Sequence, residues 1–266
     1  MFVLQSQQNT EKIEPELEAL TDRSSALKIE NEYVHNIYDD IASHFSSTRY
    51  GCWPKVVEFL NELQPGSLVV DIGCGNGKYL SANRNVVMLG SDRSMNLLTI
   101  CKERNFEVFQ GDCTQISQTL RDDLFDAVIC IAVVHHLATE QRRICAISSM
   151  IQLLNVGGQA LVTVWAFEQE LHQVPSKYLK KNHSTTNIPD SSDESKIPIH
   201  TNRTGFKKQD LFVPWSKPST TEVKLRFYHV FREGELEKLV NQVDNAQIIK
   251  VYYDQGNWCA IFKRIK

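Results

Sequence analysis

The segment Leu68-Val69-Val70-Asp71-Ile72-Gly73-Cys74-Gly75-Asn76-Gly77 carries the strongest structural signal in the chain. A short apolar run, the hallmark of a buried strand, leads into three glycines spaced two apart, with a helix expected from Lys78. Glycines let a backbone turn sharply and let a ligand approach it closely. Dinucleotide-binding turns use a longer final spacing, which brings a pyrophosphate onto a helix N-terminus. Here an acidic residue, Asp71, stands two before the first glycine. It would repel a pyrophosphate and attract a ligand with a cationic amino-acid end. Asp92, just beyond a second expected strand at 85–90, is placed to accept hydrogen bonds from ribose hydroxyls. The plain alternative is a tight strand-to-helix turn with no ligand.

Strands and helices alternate outward from this loop. Further strands are expected at 106–110, 125–134 and 159–166, and helices at 95–104 and 139–154, the last with Thr139 as N-cap. Before the loop, Tyr33, Val34, Ile37, Tyr38, Ile41, Ala42 and Phe45 recur at helical spacing, and Pro54 opens a second helix that Pro65-Gly66 ends. After it come a helix at about 233–243 and two strands, about 246–253 and 258–264, joined at Gln255-Gly256-Asn257. The alternation predicts an α/β fold with a doubly wound sheet. Residues 1–28 read as a flexible tail or a weak helix and 29–266 as one domain. Within it, 172–210 is rich in polar residues and Pro and is expected to be a disordered insertion.

Composition narrows the class. The chain has 266 residues, 42% hydrophobic and 23% charged, and a net charge of −3, so no global basic field exists to hold a polyanion. Its seven cysteines make no C-x-x-C pair, which argues against a zinc ribbon or a thioredoxin-type motif and for a reducing compartment, cytoplasm or nucleus. No apolar run approaches the roughly 20 residues that span a bilayer, and the start lacks the pattern of a signal peptide.

The glycine loop resembles that of the class I methyltransferases. That resemblance implies a seven-stranded Rossmann-like sheet with an antiparallel last strand, and S-adenosyl-L-methionine as cofactor, held by Asp71, Gly73, Gly75, Gly77 and Asp92. It adds Asp112 and Cys113 near the adenine, and Ala132. On the residues alone Asp112 is as readily a turn or N-cap aspartate. Three further regions narrow the resemblance: Tyr33 to Tyr38 continuing to Trp53-Pro54; Ile131-Ala132-Val133-Val134-His135-His136-Leu137; and Val162 to Gln169 together with Asp210 to Trp215, Arg226 to Phe231 and Tyr252 to Trp258. Together they resemble the eukaryotic tRNA wobble-uridine carboxymethyl methyltransferases, over about 31–170 and 210–264. The implied reaction esterifies a carboxymethyl group in the tRNA anticodon loop. One departure is Gly51-Cys52, where the group commonly has a basic residue.

A carboxylate nucleophile is already ionised at neutral pH, so no base is needed, and hydrogen-donating or cationic groups should surround it. His135, just after the fourth strand, is the first candidate, with His136 either beside it or capping the next helix. Arg49 is a cation in an expected lid, or a solvated surface residue. His35 and Tyr38 share a helix face. Tyr253, Trp165 and Trp258 are either stacking platforms for an extruded base or core. Lys177, Lys180, Lys181, Arg203, Lys207 and Lys208 either track phosphates or form a solvated charge run. The short apolar strand 106–110 should lie at a sheet edge, where the resemblance implies a small zinc-binding activator subunit. Two other readings stand beside this one: a methyltransferase for another RNA or a small molecule, and a non-catalytic regulator on the same fold.

Overall fold

The computed structural model describes residues 22–171, 173–176, 178–179, 196–216 and 222–266. In chain order these form α1 (Arg23–Glu30), a π-helical turn (Asn31–His35), α2 (Asn36–Ser47), α3 (Pro54–Asn61), β1 (Leu68–Ile72), β2 (Val87–Asp92), α4 (Met95–Glu103), β3 (Val108–Gln110), β4 (Phe125–Ile131), α5 (Glu140–Leu153) and β5 (Leu154–Trp165). The short β6 (Glu170–Leu171) and β7 (Val174–Pro175) follow, then β8 (Asp210–Ser216), β9 (Val223–His229), α6 (Glu235–Val240), β10 (Ala246–Asp254) and β11 (Asn257–Arg264).

Seven strands form one sheet in the order β3-β2-β1-β4-β5-β11-β10. β3, β2, β1, β4 and β5 are mutually parallel, while β11 runs antiparallel to both β5 and β10. The expected seven-stranded sheet with its antiparallel last strand is therefore observed. β1 is buried because both its neighbours are parallel strands: Asp71 sits between Gly90 of β2 and Ile129 of β4. The two faces are covered by α5 and α6 on one side, through Ile147, Met150, Leu236 and Leu239, and by α3 on the other, through Val56, Phe59 and Leu60. The strand order reverses between β1 and β4, and the crevice at such a reversal is where doubly wound sheets bind ligands.

A cap covers that crevice. Its roof is the β8–β9 hairpin packed on the N-terminal helices, with Ala26, Ile29, Val34, Phe212 and Phe227 in one apolar cluster. Glu30, wholly buried at the end of α1, fastens the cap to the body. Its carboxylate pairs with the Arg142 guanidinium at 2.7 Å and accepts the Ala138 N–H at 2.9 Å.

The structure differs from the sequence reading in several places, among them the bounds of β4, which ends at Ile131, and of β5, which begins at Leu154. Residues 23–28, left open between a tail and a weak helix, belong to α1, because Asp22 caps it through the Ser24 and Ser25 N–H groups and Ala26 meets the apolar cluster. Residues 196–210, expected within the insertion, are ordered against β8: Ile197 is buried, Ile199 bridges Phe212, and the Phe212 N–H donates to Pro198 O at 2.8 Å. Residues 172, 177 and 180–195 of that insertion lie outside the described residues. The helix expected from Lys78 is a run of turns closed by short-range bonds, Leu80 N–H to Gly77 O and Ala82 N–H to Tyr79 O. Strand β2 extends to Asp92, two residues past the expected end.

Removing one partner of a buried ion pair leaves a bare charge. Glu30→Ala should lower the unfolding free energy by about 3–5 kcal/mol, and adding Arg142→Leu should recover most of it. Urea unfolding measures both; a loss under about 1 kcal/mol for Glu30→Ala contradicts the fastening role.

Candidate active site

A cavity of about 460 Å³ opens at the carboxyl ends of β1, β2 and β4, in the volume range of ligand sites. The glycine loop forms its floor. Gly73, Gly75 and Gly77 all have positive φ, between 58° and 76°, which an L side chain rarely adopts. A Cβ on Gly73 would stand 2.3 Å from Val133 Cγ2. Gly77 is different: it does not line the cavity, and its bareness admits the Phe106 ring and the Cys101 sulfur. That corrects the expectation that all three glycines face a ligand. Asn76 ties the loop to the cap, donating to Arg49 O at 3.0 Å and Ser46 Oγ at 3.2 Å.

Asp71 is the unusual member. It is 1% exposed, and neither carboxylate oxygen has a hydrogen-bond partner among the described residues. Burial pushes its carboxyl up to about 7, with Lys78 acting against the shift and Asp92 adding to it. A buried orphan carboxylate facing a cavity fits a cationic ligand group. Asp92 lies alongside and holds the loop shape, accepting the Gly75 and Ser94 N–H groups, each at 2.9 Å. Asp112 lines the same cavity. It accepts from the Thr114 N–H and hydroxyl and pairs with Arg93, so it is also the turn aspartate of the alternative reading. Burial acts to raise its carboxyl, but those contacts outweigh it and hold it below the usual range. Cys113 and Ala132 border the cavity too. Ala132 has φ +62°, a strained backbone fixed by its N–H bond to Thr163 O at 3.0 Å.

The upper wall is aromatic, and its histidines are neutral. His135 is 1% exposed, and its Nδ1 accepts the Trp165 backbone N–H at 3.0 Å, which leaves the ring hydrogen on Nε2. Burial holds it well below the ordinary histidine range. His136 Nδ1 bonds to Phe227 O at 2.8 Å, so its Nε2 accepts from the Tyr38 hydroxyl at 3.0 Å; burial lowers it to about 3. His35, on the π-helical turn, is lowered by burial to about 4. Irregular turns of this kind frequently mark functional positions. Trp165 lines the cavity and stacks on Tyr228 at 4.5 Å. Arg49 reaches the rim, exposed, with its guanidinium 5.5 Å from the Phe45 and Trp215 ring centres.

Tyr253 and Trp258 do not reach the cavity. Tyr253 donates to Glu168 O at 2.9 Å and Trp258 Nε1 to Glu168 Oε2 at 2.9 Å, so both serve the packing of β10 and β11, on the far side of the sheet from β1. Arg203, Lys207 and Lys208 are exposed on the approach to β8; Lys177, Lys180 and Lys181 lie outside the described residues. No cluster of metal-ligating side chains occurs among the described residues.

The sequence reading passed over Arg226 and Tyr228. Arg226 is 5% exposed, lines the cavity, and donates from Nη1 to the Tyr228 hydroxyl at 3.0 Å and the Tyr38 hydroxyl at 3.3 Å. The available signal was period-two alternation: Lys224, Arg226 and Tyr228 share one face of β9 and Leu225 and Phe227 the other.

The sheet order, the glycine loop and the cavity at the strand reversal together define a class I methyltransferase fold. A family model described as a methyltransferase domain matches residues 70–162. Solved structures share the fold at low identity: an S-adenosylmethionine-dependent methyltransferase from Clostridium acetobutylicum (12% identical, TM-score 0.56, 86% of this chain and 96% of that one) and the CcbJ methyltransferase from Streptomyces caelestis (12%, TM-score 0.57, 90% and 98%). The tRNA (carboxymethyluridine(34)-5-O)-methyltransferase alkbh8 of Xenopus tropicalis is 49% identical over 90% of this chain and 42% of its own length. The tRNA (carboxymethyluridine(34)-5-O)-methyltransferase of Schizosaccharomyces pombe is 36% identical over 90% of this chain and 99% of its own. The chain belongs to this tRNA (carboxymethyluridine(34)-5-O)-methyltransferase family. It spans 42–46% of the length of the animal relatives that head the comparison.

Gly73→Ala combines a positive φ with a clash against Val133 and should cost about 2–4 kcal/mol by urea unfolding. Gly51→Ala, at a rim glycine whose Cβ would meet nothing within 4 Å, should leave stability unchanged. Equal effects at both positions contradict the assigned role of Gly73.

Proposed function

We propose that the chain transfers a methyl group from S-adenosyl-L-methionine to the carboxymethyl group of a tRNA wobble uridine, forming the ester. Family membership and the cavity support this reading. The observation that carries it is the coexistence, in one cavity, of an unpartnered buried Asp71 with three histidines held neutral at physiological pH. The first suits a cationic donor. The second suits a nucleophile that needs no base.

Asp71 would face the ammonium of the cofactor's amino-acid end, Gly73 and Gly75 would let that end approach the backbone, and Asp92 would accept from the ribose hydroxyls. Asp112, Cys113 and Ala132 would border the adenine. When bound, the cofactor would supply an electrophilic methyl group on a cationic sulfur, which a carboxylate oxygen can accept without any residue of this chain moving a proton. His135, with its hydrogen on Nε2, donates to the carboxylate without neutralising it and so orients the nucleophile. Tyr38 and His136 fix that wall through their mutual hydrogen bond. Arg49 at the rim supplies a cation for the RNA backbone, and Trp165 a stacking face. Arg203, Lys207 and Lys208 extend that basic approach.

We further propose a small zinc-binding activator subunit on β3, one of the two edge strands of the sheet, where strand addition would cover Val108 and Phe109. The seven free cysteines support a reducing compartment, cytoplasm or nucleus.

The test is transfer of labelled methyl to anticodon stem-loops carrying carboxymethyluridine, against unmodified stem-loops and small-molecule extract. Label confined to the modified RNA is the expected result. Label in small molecules alone, or cofactor binding with no transfer to any pool, contradicts the reading. At saturating cofactor, kcat should stay flat from about pH 6 to 9, because the histidine protons are lost well below that window and the substrate acid ionises near 4. A limb that falls toward acid with a midpoint near 6.5 would mean a histidine base.

A further inference from the structure

We infer that Arg226 takes the negative charge of the substrate carboxylate and makes this site prefer an acid over a neutral group. The inference deepens the proposed function and rests on it.

β9 carries two cations on one face, and they are treated differently. Lys224, toward the surface, pairs with Asp40 at 3.1 Å and Glu222 at 2.6 Å. Arg226, two residues on and buried, pairs with no carboxylate among the described residues. Of the other buried arginines, Arg142 pairs with Glu30 at 2.7 Å, while Arg143 donates to Leu137 O at 2.9 Å and has the acids Asp210, Glu235 and Glu140 around it, although burial still outweighs their field. Around Arg226 the charge is met only by phenols and rings: Nη1 donates to Tyr38 and Tyr228, Nε is buried without a partner, and the guanidinium lies 4.8 Å from the Trp215 ring centre. Neutral donors and aromatic faces ease the burial of a cation but do not cancel its charge.

Two buried groups of opposite sign, Asp71 and Arg226, thus line the cavity without an ion-pair partner among the described residues, and they do not pair with each other. A methyl transfer from a cationic sulfonium to a carboxylate brings in two ligands of the matching signs. With Nη1 engaged and Nε covered, Nη2 is left for the ligand. A contact through that single nitrogen holds the anion and leaves the second carboxylate oxygen its lone pair for the methyl carbon. A two-point fork would engage both oxygens and blunt the nucleophile.

A cation kept buried without a counter-charge is a cost to the fold, so removing it should not weaken the protein. The full chain, purified with whatever subunit accompanies it, is compared as wild type, Arg226→Met and Arg226→Lys. Arg226→Met should melt at or above the wild type and bind S-adenosylhomocysteine within about twofold. Its kcat/KM for the carboxymethyluridine stem-loop should fall about 100-fold, with Arg226→Lys recovering part. The wild type should bind that stem-loop about tenfold more tightly than one with the uncharged carbamoylmethyl group, and Arg226→Met should bind the two alike. Equal binding of the two RNAs by the wild type overturns the inference without any variant. So does a loss of S-adenosylhomocysteine affinity in step with the loss of turnover, which would place Arg226 on the cofactor. A wild type that methylates the RNA with Arg226→Met equally active removes the role of Arg226 and leaves the function standing. A wild type with no transfer to RNA fails the functional reading and the inference with it.

Discussion

The carboxylate of Asp71 sits at the end of a strand buried on both sides, and no group among the described residues bonds to it. Holding it there with a carboxyl near 7 corresponds to about 4 kcal/mol against its ionised form. The surrounding structure keeps that cost in place. Glycines rather than larger residues line the turn, so no side chain folds back to satisfy the acid. Asp92 spends its own oxygens on the loop backbone and holds it open. An acid without a partner, in a cavity built around it, is a site that waits for a cation.

The same logic runs through the opposite wall. His135 and His136 are locked by backbone bonds into single tautomers and kept uncharged by burial, so they act as oriented donors and acceptors rather than as bases. The aromatic cluster of Tyr38, Trp165, Trp215 and Tyr228 seals the region. His135, His136 and Trp165 come to this wall from the body, and Tyr38, Trp215 and Tyr228 from the cap, which stays on the body through the buried Glu30–Arg142 pair. The chemistry of the site thus depends on a tertiary contact between two residues 112 apart in sequence.

Features of local origin were legible in the chain. The apolar strand, the glycine spacing and the acids at the ends of β1 and β2 follow from short-range rules and reappear where expected. The turns after Gly77 were misread as helix because Asn83 and Asn85 close the segment through local bonds that compete with helix, Asn83 Oδ1 accepting the Asn85 N–H at 2.8 Å. Tyr253 was misplaced because composition does not reveal strand order: it lies on β10, at the edge of the sheet remote from β1. Arg226 was missed for a related reason. A strand arginine reads as solvent-facing until the hairpin folds over the cavity, and only the cap buries it.

Calorimetric titration of the chain with S-adenosylhomocysteine, in buffers of differing ionisation enthalpy, bears most directly on the orphaned acid. An ammonium ligand favours ionised Asp71, so affinity should rise as pH climbs through about 7, with about half a proton released per ligand at pH 7. Asp71→Asn should bind at least about tenfold more weakly and release none. Tight binding without proton release, unchanged in Asp71→Asn, would contradict the account.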